Sequence, residues 1–135
     1  MTDPDDPTYT ITIDIVNLGR AKTINWYRNQ HWAKLAETTR QWRLVAKTLW
    51  RKAAANHPIP LTECVATITP LQRNHHGLAD VGAHFPSAKA AIDGAIDAKV
   101  LLDDTHIHVK KIVFKRTSIC ANDGLTITLR GRPVR

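Results

Sequence analysis

The segment from Asp80 to Asp104 reads DVGAHFPSAKAAIDGAIDAKVLLDD, and the rest of the chain can be arranged around it. Pro86 suits the first turn of a helix, where its missing N–H is not needed. Ile92 and Ile96 lie one helical turn apart and give the helix a buried side. The segment therefore predicts a short helix between an aspartate-bearing loop and an aspartate pair.

The acidic residues around this helix favour one kind of chemistry. If the helix lies on a sheet, Asp80 before it could meet Asp103 and Asp104 after it. Carboxylates without cysteine partners suit a hard cation such as Mg²⁺, which takes oxygen ligands. Lys89 in the helix could balance charge on a phosphate, as in a metal-dependent phosphodiesterase. The alternative is that these acids form a solvated surface, which is the commoner role of such residues.

The order of residues resembles the signature of RusA-type Holliday junction resolvases. The matching pieces are KAAIDG over residues 89–94, DAKV over residues 97–100, and LDD over residues 102–104. On this resemblance Asp80 corresponds to the first loop aspartate, Lys89 to the catalytic lysine, and Asp104 to the aspartate that closes the metal site, assisted by Asp103.

The resemblance implies a homodimeric endonuclease that depends on Mg²⁺, with Mn²⁺ as the other metal, and that resolves four-way DNA junctions. Such enzymes are often encoded by phages or prophages, and they use no small-molecule organic cofactor. The homodimer follows because a four-way junction presents symmetric strands and two nicks call for two sites.

The loop Asp80-Val-Gly82-Ala83 departs from the Asp-x-Asp-Asn pattern of the family. Gly82 stands where the family usually has a second loop carboxylate. An alternative function is therefore a junction-binding or nucleic-acid-binding protein of the same fold with weakened or absent catalysis. A more distant alternative is a small basic scaffold or RNA-binding protein.

Length and composition predict one domain over residues 1–135, with residues 1–7 as a loose acidic tail. No apolar run approaches the roughly 18 residues that a membrane helix needs, so no membrane partner is expected. Cys64 and Cys120 are too few for a disulfide framework or a cysteine-rich zinc site, which favours a reduced cytoplasm. Cys64 fits a strand core as a small apolar residue.

Positive charge is concentrated in one block. The net charge is +7, and residues 19–56 carry nine Lys or Arg against Glu37 alone. A helix from about Lys34 to Ala55 is predicted to bury Leu35, Trp42, Val45, Ala46, Leu49 and Ala53. Its opposite side carries a row of four cations that we call the cationic stripe, with no acidic i+4 partner among them: Arg40, Arg43, Lys47 and Arg51. Unrelieved repulsion in such a row favours a role facing phosphates.

Residues 17–32 show no periodicity and mix arginines, amides and aromatics. This composition suits a surface that grips phosphates and stacks on bases, but it equally suits a long loop pinned in the core by Trp26 and Trp32. The resemblance to the RusA-type family, which has an Asn-, Tyr- and Arg-containing loop at this point, implies DNA contacts by Asn25, Tyr27 and Arg28. The other candidate DNA contacts are Arg20 and Lys22 in this segment and Arg73 before the central segment.

Alternating patterns predict the strands. They cover residues 9–15, residues 61–69 closed by Pro70, and residues 105–114 with a possible bulge at Lys110–Lys111. The Asn122-Asp-Gly124 turn followed by residues 125–129 predicts a hairpin with the preceding strand. The expected fold is α+β, a β-α-β-α-β-β mixed sheet with two helices packed on it. His106 and His108 on one strand face near Asp104 offer a zinc site as a minor alternative.

Overall fold

Two helices on a mixed five-stranded sheet form the fold in the computed structural model of the protein, which describes residues 6–14, 30–55, 59–73, 84–103, 105 and 107–133. The helices are α1 (Trp32–Ala53) and α2 (Phe85–Asp97). The strands are β1 (Thr8–Asp14), β2 (Leu61–Gln72), β3 (Val109–Phe114), β4 (Ser118–Ile119) and β5 (Gly124–Pro133). The predicted α+β class is confirmed, with the short β4 as an additional strand.

The sheet order is β1-β5-β2-β3, and β4 pairs with β2 beyond the end of β3. β2 and β3 are parallel, so β2, α2 and β3 form a crossover unit. The predicted hairpin between β3 and β5 is therefore wrong, because β2 lies between them. The turn at Asn122–Gly124 instead carries the chain across the end of β2, where the Arg73 N–H donates to Asp123 Oδ1 at 2.7 Å.

Pro70 does not end β2, contrary to the sequence prediction. The strand continues to Gln72, and Pro70 is buried opposite Leu125 of β5. On its other side, Ile68 O accepts from the Lys115 N–H, and Gln72 O accepts from the Cys120 N–H. Residue 70 has the same orientation as residues 68 and 72, so its nitrogen faces the gap between β3 and β4. No ladder hydrogen bond is lost there, which explains why a proline is accepted in an interior strand.

The buried side of α1 differs from its predicted position. Trp42 and Ala46 are buried as expected, but Ala53 is exposed, and Leu35, Val45 and Leu49 are only half-buried. Trp50 was missed as a core residue. It is fully buried, and its indole N–H donates to the carbonyl oxygen of Ala91 in α2 at 2.9 Å. The Trp42–Ala46–Trp50 row thus forms the inner side of α1.

The predicted bulge at the start of β3 is confirmed. Cys64 pairs with Val109 and Val65 pairs with Lys111, which leaves Lys110 as the extra residue. The strand begins only at Val109, because the N–H groups of His108 and Val109 both bond to Thr105 O in a turn. Cys64 is buried in the core, as predicted, and burial raises the pKa of its thiol to about 11.

Candidate nucleic-acid interface

The two helices lie in close contact at Gly94 of α2. A Cβ atom there would lie 2.6 Å from Arg43 O, 2.8 Å from Ala46 Cβ and 2.9 Å from Lys47 N. Only a glycine permits this separation, because the three neighbouring atoms belong to the backbone or to a short side chain of α1. The central turn of the cationic stripe therefore lies directly beside α2.

An ion pair joins the cationic stripe to α2. Arg43 donates through Nε to Asp97 Oδ2 at 2.5 Å and through Nη2 to Asp97 Oδ1 at 2.8 Å. This bidentate hydrogen bonding holds the pKa of Asp97 below its ordinary value of 3.8. Because the folded-state pKa is lowered, the stabilisation is present above about pH 4 and is lost as the pH falls through the folded-state pKa.

A second ion pair lies within α1. Arg40 bonds Glu37 through Nη2 at 2.8 Å and through Nε at 3.1 Å. These bonds lower the pKa of Glu37 and raise that of Arg40. The predicted unrelieved repulsion within the cationic stripe is therefore wrong for two of its four members. Both acids lie outside the cationic stripe itself: Glu37 precedes Arg40 by three residues, and Asp97 comes from the other helix.

The remaining two cations of the stripe differ from these. Within the described part of the chain, neither Lys47 nor Arg51 has a carboxylate within 4.0 Å. Lys47 is half-buried beside the helix contact, where its charge also lowers the pKa of Asp97. Arg51 is exposed in the last turn of α1. These two positive charges are available to an external anion.

Lys89, the predicted catalytic lysine, lies in the second turn of α2. Its Nζ is 2.6 Å from Asp93 Oδ1, one turn further along the helix. Lys89, Asp93 and Asp97 follow one another at four-residue intervals along α2, and Asp97 contacts Arg43 of α1. The ammonium group is partly exposed and is held by a carboxylate of its own helix.

The described structure places only some of the remaining predicted site residues. Asp103 is exposed just after Leu102, whose N–H donates to Leu61 O at the start of β2. Arg73 is exposed at the other end of β2. The residues that lie outside the described ranges are Asp80, Asp104, Arg20, Lys22, Asn25, Tyr27 and Arg28. The convergence of Asp80 with Asp104 stays a prediction.

No group of three His, Cys, Asp or Glu side chains suited to a metal ion occurs among the described residues. His108 lies in the turn before β3, and its Nδ1 is 2.7 Å from Thr62 O. The predicted strand face shared by His106 and His108 is therefore wrong for His108, while His106 is outside the described ranges. The Nδ1 atom of His84, at the start of α2, is buried without a hydrogen-bond partner in the described part, and burial lowers the pKa of this imidazole.

Trp32 is the first residue of α1, and 74% of its surface is exposed. The alternative in which Trp32 pins a loop in the core is therefore wrong, because a core anchor would be buried. The neighbouring His31 caps the helix, since its Nδ1 accepts from the Ala33 N–H at 3.2 Å. Its ring centroid lies 5.4 Å from that of Trp32. An aromatic pair thus stands at the amino end of the helix that carries the cationic stripe.

Comparison with known proteins assigns no family to the chain: no protein-family model matches it, and no curated protein matches it. Among the described residues, no helix has the length and apolar character needed to cross a membrane. The resemblance to RusA-type resolvases therefore rests on the short motifs between residues 89 and 104 quoted above.

Proposed function

We propose that the protein binds branched DNA along α1 and cleaves it as a metal-dependent endonuclease of the RusA type. The observation that carries this proposal is the packing of α2 against the cationic stripe at Gly94. Lys89 precedes Gly94 by five residues, which is about 8 Å along the helix axis. A DNA backbone bound by Lys47 and Arg51 would then run close to the helix that carries the candidate catalytic lysine.

Each residue has a definite role in this proposal. Lys47 and Arg51 would contact phosphates, which gives affinity and orientation with little sequence readout. Asp80, Asp103 and Asp104 would hold Mg²⁺ or Mn²⁺, and the bound ion would supply Lewis-acid activation of water and of the scissile phosphate. Lys89 would stabilise the charge that develops on the phosphate, exchanging its contact with Asp93 for one with the substrate.

The length of α2 constrains how the aspartates could share an ion. Its 13 residues extend about 20 Å, and Asp103 follows its carboxyl end. Asp80 lies four residues before His84 at the amino end, and four residues span at most about 14 Å. A shared ion therefore requires either that the chain before His84 returns alongside α2 or that the second subunit of a homodimer supplies one of the aspartates.

The test is nicking of a four-way DNA junction in Mg²⁺ or Mn²⁺ by wild type, Asp80→Asn, Asp104→Asn and Lys89→Ala. Glu63→Gln is the matched control, because it also removes a carboxylate but has no role in the proposed site. Glu63 lies on β2 and pairs with Lys110 of the bulge at 3.5 Å. We expect the three site variants to lose at least about 100-fold in rate, as for removal of a group that stabilises transition-state charge. Equal rates for all five proteins would overturn the site assignment.

A second candidate function is junction binding without cleavage. Two observations favour it: Lys89 is engaged by Asp93 at 2.6 Å, and Gly82 stands in place of a carboxylate. This candidate predicts tight junction binding with no nicking in either metal, and a Gly82→Asp variant that nicks. Robust nicking by the wild type would eliminate it, and equal affinity for junction and duplex would instead favour a general basic scaffold or RNA binder.

A further inference from the structure

Trp32 differs from the other tryptophans of its helix. Its exposed fraction is 74%, whereas Trp42 and Trp50 are 2% and 0% exposed. It is also the most exposed large hydrophobic side chain among the described residues. An indole exposed to water does not contribute the burial free energy that tryptophan supplies in cores and interfaces. Its position therefore suits contact with a ligand.

The helix geometry places Trp32 in line with the cationic stripe. Counting from residue 32, steps of four or three residues lead through Ala36 to Arg40, Arg43, Lys47 and Arg51, so these residues fall within an arc of about 100° around α1, with Trp32 and Arg51 at its two edges. At 1.5 Å per residue, Trp32 lies about 12 Å from Arg40 and about 28 Å from Arg51 along the axis. One side of one helix thus carries an aromatic ring at its start and cations along the rest.

The neighbouring imidazole holds a defined position beside the indole. Because His31 Nδ1 accepts the Ala33 N–H, the ring is anchored to the helix start, and the two ring planes are inclined by 35°. Anchoring of this kind reduces the side-chain ordering that a ligand would otherwise have to impose. The His31–Trp32 pair is therefore preorganised to contact a planar ligand.

We propose that Trp32 is a stacking site for an unpaired nucleobase, at the end of a DNA strand whose phosphates follow the cationic stripe. This inference rests on the proposed DNA binding and adds the part of the substrate that α1 recognises. A polyanion alone would need only the cations, whereas nucleic acid offers both phosphates and flat bases. Bases within a continuous duplex are stacked on one another, so the site selects a branch point, a gap or a strand end.

The experiment measures binding of wild type, Trp32→Ala and Trp32→Phe to two DNAs of equal length. One is a continuous duplex, and the other carries unpaired nucleotides with 2-aminopurine at the branch point. Leu44→Ala is the matched control, because Leu44 is an exposed apolar residue of α1 without an aromatic ring, about 120° around the helix axis from Trp32. Both substituted side chains, Trp32 and Leu44, are exposed, so the fold should be retained, which circular dichroism checks.

We expect Trp32→Ala to weaken binding to the DNA with unpaired bases by about 5- to 100-fold and to leave duplex binding within about twofold. Trp32→Phe should retain most of the affinity, because it keeps a π face. Wild type should quench 2-aminopurine fluorescence, and Trp32→Ala should not.

Three results would overturn the stacking site while leaving DNA binding intact. They are unchanged affinity in Trp32→Ala, an equal loss on both DNAs, and a loss of dimer in light scattering without a change in DNA affinity, which would make Trp32 a subunit contact. Failure of the wild type to bind either DNA would instead defeat the proposed function together with this inference.

Discussion

Lys99 shows how one strained residue is held by its surroundings. Its φ of 65° is in the left-handed region, where a lysine costs about 1 kcal/mol relative to glycine. The Lys99 N–H bonds Ile96 O at 3.1 Å, and the Val100 N–H bonds Ala95 O at 2.9 Å, which together form a Schellman ending. The turn brings Val100 and Leu101 into the core. Burying these two side chains contributes about 1.5–3 kcal/mol each, which exceeds the local strain.

Replacing this lysine should stabilise the protein. We expect Lys99→Gly to raise the free energy of unfolding by about 1 kcal/mol, because glycine adopts the same φ without steric cost. Urea denaturation followed by circular dichroism measures the change. As a control, Lys52→Gly within α1 should have the opposite sign, with a loss of roughly 0.5–1 kcal/mol. A decrease for Lys99→Gly would show that the lysine side chain contributes more than its strain costs.

The pair of helices is the element that brings the charged side chains together. Gly94 permits close approach, Trp50 of α1 bonds the backbone of α2, and Arg43 spans the contact to Asp97. The buried side of α2 is built largely from alanine, which lets the two backbones approach. The spacing between α1 and α2 therefore sets the position of the cationic stripe relative to Lys89.

A methyl group at Gly94 should separate the helices. Alanine is favoured over glycine in a helix by about 1 kcal/mol, yet its Cβ would lie 2.6 Å from Arg43 O. We expect Gly94→Ala to lower the free energy of unfolding by about 1–3 kcal/mol, because overpacking outweighs propensity. Ala36→Gly, at an exposed position of α1, provides the propensity change alone. A stabilised Gly94→Ala protein would show that the helices can separate at no cost.

The fold as a unit directs the excess positive charge outward along one side of α1. Of the four cations in the stripe, Arg40 and Arg43 are held by carboxylates, whereas Lys47 and Arg51 have no carboxylate within 4.0 Å in the described structure. Arg40 and Arg43 are fixed in position by these ion pairs. Lys47 and Arg51 carry the charge that a phosphate backbone would neutralise. Binding should therefore depend on where a cation lies, as well as on the net charge of +7.

Two adjacent residues at the end of α1 allow this to be tested. Arg51→Gln and Lys52→Gln each remove one positive charge from an exposed position in the last turn, on sides of the helix about 100° apart. We expect Arg51→Gln to weaken DNA binding and to reduce the slope of log K against log salt by about 0.9, the value for one phosphate contact. Lys52→Gln should change both quantities far less, and equal effects would mean that only net charge matters.

Local patterns in the chain were enough to predict the α+β class, the helix that begins near Pro86 and the bulge at Lys110. Each depends on neighbours within a turn or a few strand positions, so periodicity and backbone preference determine it. The cationic stripe was predictable in the same way, since its residues lie three or four positions apart.

The tertiary structure alone decided which strands are neighbours and which acids meet the stripe. β2 separates β3 from β5, and Asp97 meets Arg43 across 54 positions of sequence. Alternation identifies a strand but not its partner, and helical spacing does not say which element will lie opposite. Pro70 is accepted within β2 because its nitrogen faces the gap between β3 and β4. Trp50 is buried because α2 packs against that side of α1. These contacts arise only when distant segments pack together, because no local pattern encodes their relative position.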